Sequence, residues 1–297
     1  MAVTFNRWSS TQAYSWPFRV FKQYYEEQNL MYWSSIGTCN YIYHAMKADG
    51  LTWETDPTDI LSISKNKYNF KTLREWSNGN NLSQVWSRLN FTMSLSAIFE
   101  TYLSTIIALA IESDPGVLIH APNSVDGTKF LKEQGFPRRL YDSSITGITT
   151  GIWSKRLSAL STLFNFDFPV LSNHLDILEK LRRKRNSVGH AYGRDISKSR
   201  QFLIHEKQPV EGVSNKNLLL FYGAVFKVAK EIDRYLLKNH IGEYQMILAY
   251  HNFLKANKPA GFTNDKAYAF SKHLGKLSPR AVTRKYCVEL ANHYESI

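Results

Sequence analysis

Residues 92–111, TMSLSAIFETYLSTIIALAI, carry the reading on which the fold class turns. Met93, Leu95, Ile98, Phe99, Tyr102, Leu103, Ile106, Ile107 and Leu109 make the segment apolar almost all round, and it stops at Ser113-Asp-Pro-Gly116. A helix that is apolar on every side belongs in a protein core. Glu100 is the only charge between Met93 and Ile111. A carboxylate in such a helix needs a partner. Arg182 or Arg185 is the expected one, and a solvent groove at Glu100 is the alternative.

Working outward, residues 153–164 place apolar side chains at 153, 157, 160, 163 and 164, a helical spacing. Leu171, Leu175, Leu178 and Leu181 continue it, and residues 218–237 form another long apolar-periodic helix after a polar linker at about 194–216. A short helix is expected at 127–134. Four helices between about 91 and 240 make an ordinary bundle, so the expected class is all-α. Residues 1–90 are rich in Trp and Tyr and read as irregular after a first helix at 17–31, whose Pro17 suits the first turn. KADG, ETDPTD and SNGNN read there as loops. Residues 241–297 read as two or three short amphipathic helices. KHLGKLSPRAVTRKY (272–286) admits a helix-turn-helix reading, although packing onto the bundle produces the same pattern. The expected organisation is therefore 1–90, an aromatic-rich region; 91–240, the bundle; and 241–297, a helical extension.

The composition bounds the function. With 43% hydrophobic and 21% charged residues in 297, disorder is excluded and a real core is available. The two cysteines, Cys39 and Cys287, leave no disulfide framework and no thiolate zinc site. The opening MAVTFNRWSSTQ lacks the pattern of a secretory leader, and Glu100 interrupts the best apolar run. A cytoplasmic protein without membrane contact is the expectation. The formal charge of +12 points to a polyanion partner. It is concentrated in one place: residues 180–200 hold eight Lys and Arg against the single acid Asp195. A phosphate backbone is expected to dock there, on Lys184, Arg194, Lys198 and Arg200.

The phosphate-loop, dinucleotide, nucleophile-elbow and zincin signatures are missing, so no metal or cofactor is expected. His174 and Asp176 read as cap and surface residues. The informative stretch is LEKLRRKRNSVGHAYG, 178–193. Extending the leucine seam from 181 through 185 to 188 places Arg185 on the buried side of the helix. Asn186 and His190 are four apart, so they share a face and Asn186 can orient the imidazole. Gly189 and Gly193 suggest the helix end and a close backbone approach.

RNSVGH (185–190) resembles the R-x4–6-H motif of HEPN domains, in the common form with Asn directly after Arg. The resemblance covers residues 91–240. It implies an all-α, generally dimeric ribonuclease with two copies of the motif at the dimer interface. Such enzymes cut RNA without metal and often serve in toxin–antitoxin or antiphage systems. By that resemblance Arg185 and His190 are catalytic and Asn186 supports them. The buried-charge argument and the helical spacing add Glu100, Arg182 and Arg183 as supporting or alternative residues. The bare spacing is also met by Arg183–His190, Arg200–His205 and Arg234–His240. Of these Arg183 is the real competitor, being almost in line with His190 along the helix.

The residue types suit RNA cleavage. A base must take the 2′-OH proton, an acid must protonate the leaving 5′-oxygen, and positive charge must meet the phosphate between them. Histidine serves the first two near neutral pH, and arginine serves the third. One chain offers one such histidine, so two chains are expected to meet at the motif. Tyr192 could stack an unpaired base. An antitoxin or sensor protein from an adjacent gene is an expected partner. The rival reading is a dimeric nucleic-acid-binding or regulatory protein in which Arg185 and His190 are structural.

Overall fold

The computed structural model describes residues 4–58, 60–61, 70–133, 135–201, 206–277 and 283–297. Among them there are helices and no strands, so the all-α expectation holds. The helices are α1 (Trp16–Ala48), α2 (Leu73–Ser113), α3 (Thr128–Leu131), α4 (Asp142–Thr149), α5 (Trp153–Phe164), α6 (Pro169–Asn173), α7 (Leu175–Ala191), α8 (Ile196–Ser199), α9 (Asn215–Leu236), α10 (Tyr244–Asn257), α11 (Thr263–Leu277) and α12 (Arg284–Ser296). The chain forms two compact units that are discontinuous in sequence. One comprises Met1–Phe21, Phe99–Leu175 and Val225–Ile297, the other Lys22–Ile98 and Asp176–Ala224. The sequence reading divides the chain differently, at 90 and 240.

Two helices run well beyond their expected limits. α1 starts where Pro17 predicts, and Ser15 caps it by accepting the Phe18 N–H at 3.2 Å. It then continues to Ala48 instead of ending near residue 31. α2 begins at Leu73, so SNGNN (77–81) lies inside a helix and not in a loop. Asn and Ser weaken helices because their side chains compete for the backbone. Here other partners engage them. The Tyr43 hydroxyl meets Ser77 Oγ at 3.0 Å, and Asn80 Nδ2 donates to Tyr43 at 3.3 Å.

In the first unit the core forms around the apolar stretch that opened the reading. Leu103, Ile106, Ile107 and Ile111 are buried. Phe18, Phe21, Phe99 and Tyr102 make a ring cluster, extended where Phe99 stacks on Trp153 at 5.5 Å. Val225, Val228, Ala229, Ile232 and Leu236 bury the apolar face of α9 in this unit. Arg7 is buried and fully engaged. It donates to Asp126 (2.9 Å), to the Ile241 carbonyl (2.9 Å) and to the carbonyl and hydroxyl of Ser113 (2.8 and 2.9 Å).

α2 also contains an 18-residue window of mean hydropathy 1.6, long and apolar enough to cross a membrane, and half of that window is buried inside the protein. In the C-terminal region three helices form, and α11 packs on α12. The turn of the helix-turn-helix reading, 278–282, lies outside the described residues.

Candidate functional site

The second unit holds the motif, and helical geometry places it differently from the straight extension of the leucine seam. Leu178 and Leu181 are buried, as expected, but the next buried positions are Ser187 and Ala191. The seam therefore advances by threes through Lys184 and drifts away from residue 185. Lys184 lies along it with only 27% of its side chain exposed, and carries its ammonium out to Glu211 (2.9 Å to Oε2, 3.2 Å to the carbonyl). Arg185 is exposed, contrary to the buried position expected for it.

Asn186 also differs from expectation. Its Oδ1 accepts a hydrogen bond from Arg185 Nη1 at 3.2 Å. It orients the arginine, and among the described residues no hydrogen bond joins it to His190. His190 is exposed in the last turn of α7. Arg185 and His190 are thus both presented to solvent, five residues apart on one helix.

The end of α7 is built by Tyr192 and Gly193, both at positive φ (55° and 69°). The Gly193 N–H returns to the Ser187 carbonyl at 3.0 Å, and its carbonyl accepts Glu211 N–H at 2.8 Å. A Cβ at Gly193 would sit 2.9 Å from Leu89 Cδ1, so this glycine does mark a close approach. Gly189 does not. It lies within α7 with open space where a side chain would go. The Tyr192 ring rests on Trp86 with centroids 4.3 Å apart, and remains 65% exposed.

The remaining site residues separate into engaged and open ones. Glu179 binds Arg182 at 2.6 Å and Arg183 at 3.4 Å. Arg194 donates to the carbonyls of Gln208 and Tyr192, both at 2.8 Å, and lies 5.0 Å from the Tyr192 ring centre. Lys198 and Arg200 are exposed, and Asp195 caps α8 by accepting the Lys198 N–H at 2.8 Å. The basic run is therefore partly neutralised by its own neighbours. A pocket of about 360 Å³ beside α7 is edged by Lys180, Arg183 and Lys184 and floored by Ile177, Leu220 and Phe221.

Glu100 does have a partner, but another one. Arg156 of α5 reaches it at 3.4 Å, while the carboxylate beside Arg182 is Glu179. His174 stands at the end of α6 rather than capping a helix start, with Nδ1 2.7 Å from the Val170 carbonyl. His240, in the competing pair with Arg234, is buried against Asp114 at 2.9 Å. His205, of the pair with Arg200, lies outside the described residues. Among the described residues no three His, Cys, Asp or Glu side chains gather as a metal site. Neither a family model, nor a curated protein, nor a solved structure matches this chain.

Proposed function

We propose that the protein is a HEPN-type endoribonuclease that cuts RNA without metal, leaving a 2′,3′-cyclic phosphate and a 5′-hydroxyl. The observation that carries this is the joint exposure of Arg185 and His190 on the last turns of α7, with Asn186 holding the guanidinium. In the reaction, His190 of one copy takes the proton from the 2′-oxygen, which then attacks phosphorus. The P–O5′ bond breaks, and His190 of a second copy protonates the departing oxygen. Arg185 neutralises the extra charge on the five-coordinate phosphate. Tyr192, Lys198 and Arg200 stand exposed where a strand would pass. The biological setting that goes with the resemblance is antiphage defence or growth arrest, under an adjacent gene product.

A second reading has its own support. Among the described residues no hydrogen bond or ion pair orients the His190 ring, which suits a dimeric binding protein better than a primed base. Labelled RNA incubated with the protein in EDTA separates the two. Cleavage with cyclic-phosphate ends, and survival of DNA of the same sequence, supports the nuclease. Intact RNA in a stable complex supports the binding protein. Sedimentation at twice 34.3 kDa is expected for the two-copy site, and a strict monomer excludes it.

A further inference from the structure

The C-terminal half of α9 and the π-helical turn after it (Leu237–Ile241) carry Lys227, Lys230, Arg234 and Lys238. At about 100° per residue these four fall within an arc of about 80°, along about 16 Å of helix axis. All four are exposed. Among the described residues none of them makes an ion pair or a side-chain hydrogen bond. Arg182, Arg183 and Lys184 differ in this respect, since each has a carboxylate partner. Like charges three and four residues apart weaken a helix, so the stripe carries a cost that an anionic ligand relieves.

The stripe edges an open groove of about 680 Å³ whose other lining includes Phe166 and Tyr235. Those two rings stack at 4.0 Å and 15°, and the Tyr235 hydroxyl is tied to the Phe164 carbonyl at 2.9 Å. Both rings are half-buried, so they form a rigid aromatic step beside the cations. The carboxylate in the lining, Glu231, is already occupied. Its two oxygens accept the N–H groups of Val170 (2.7 Å) and Leu171 (2.9 Å) at the start of α6.

We infer that this groove docks the phosphate backbone of a single-stranded nucleic acid. The four cations meet successive phosphates, and the Phe166–Tyr235 step gives a base a surface to stack on. A membrane fits less well. A helix that lies on lipid presents an apolar face outward, and that face of α9 is buried in the protein core. The inference concerns binding alone and does not rest on cleavage at His190.

The test is fluorescence anisotropy with a labelled 15-nucleotide single strand, as DNA and as RNA, across a salt series. The RNA arm uses protein carrying His190→Ala to prevent cleavage. With Lys227→Ala, Lys230→Ala, Arg234→Ala and Lys238→Ala combined, the slope of log affinity against log salt is expected to fall by about 2 to 3. Should that variant unfold on a melting curve, Lys227→Gln with Lys230→Gln, and Arg234→Gln with Lys238→Gln, each lower it by about half as much. Unchanged slope and affinity in folded variants overturn the inference. So does a stripe whose loss abolishes binding to phosphatidylserine vesicles but leaves strand binding intact. Weakened strand binding in a protein that never cleaves RNA keeps this inference and removes the nuclease. Retained cleavage with unchanged binding does the reverse.

Discussion

Glu100 of α2 faces Arg156 of α5 at 3.4 Å, and the Arg156 side chain is 5% exposed. The guanidinium also donates to the Gly151 carbonyl at 3.0 Å and lies 4.6 Å from the Trp153 ring centre. Arg156→Met removes all of this and leaves Glu100 partly buried. A loss of about 2 kcal/mol is expected in urea unfolding, below the full cost of a broken buried pair because Glu100 keeps some solvent contact. Glu100→Gln in the same chain should recover part of it. Arg182→Ala should move stability by less than about 0.5 kcal/mol. If Arg182→Ala proves the damaging change, the pairing is misassigned.

Exposure of Arg185 changes what its removal should do. Arg185→Ala is expected to abolish RNA cleavage with a melting curve like that of the wild type, since exposed side chains contribute little to stability. His190→Ala should lower cleavage by about 10²–10⁴-fold while the complex with RNA persists. Arg183→Ala is the internal control. A dead Arg183→Ala beside an active Arg185→Ala transfers the role to Arg183, and full activity in His190→Ala sinks the mechanism.

The two glycines at the end of α7 should respond with opposite signs. Gly193→Ala meets both the positive φ and Leu89, and is expected to cost at least about 1–2 kcal/mol. Gly189→Ala enters open space on a helix and should gain about 0.5–1 kcal/mol. Urea midpoints of the two variants check this, and a stabilised Gly193→Ala contradicts the turn.

Asp233 gives stability a pH dependence. Burial pushes its carboxyl up to about 6, against the hydrogen bonds from Ser15 and the charge of Arg19 that pull it down. The folded state then keeps a proton that the unfolded chain has lost between about pH 4 and 6, so stability falls as pH rises through that window. Asp233→Asn removes this slope. Relative to wild type, the variant should gain about 2 kcal/mol between pH 4 and pH 7, and any constant cost of the amide cancels in the difference. Parallel stability curves for the two proteins would rule out the raised carboxyl.

The apolar-periodic helices were legible in the sequence. Residues 153–164 match α5 end to end, and 218–237 differ from α9 by three residues at one end and one at the other. Helical hydrogen bonds close within four residues, so apolar periodicity and local breakers carry most of the information. Where periodicity lapsed, tertiary partners decided: the SNGNN segment is helical with Tyr43 holding its polar side chains. The spacing of Lys227, Lys230, Arg234 and Lys238 by threes and fours is itself legible in the sequence. The side Arg185 takes was beyond reach. A seam that advances by three or by four is chosen by what packs against it, here Ser187 and Ala191 rather than Val188. The partner of Glu100 lies 56 residues away, and such a pairing is settled only when separate helices come together. The sequence by itself determined the helices whose apolar positions keep a regular period, α5 and α9 among them. Tertiary packing decided which face each buries and which charge meets which, because those contacts join residues that local periodicity does not relate.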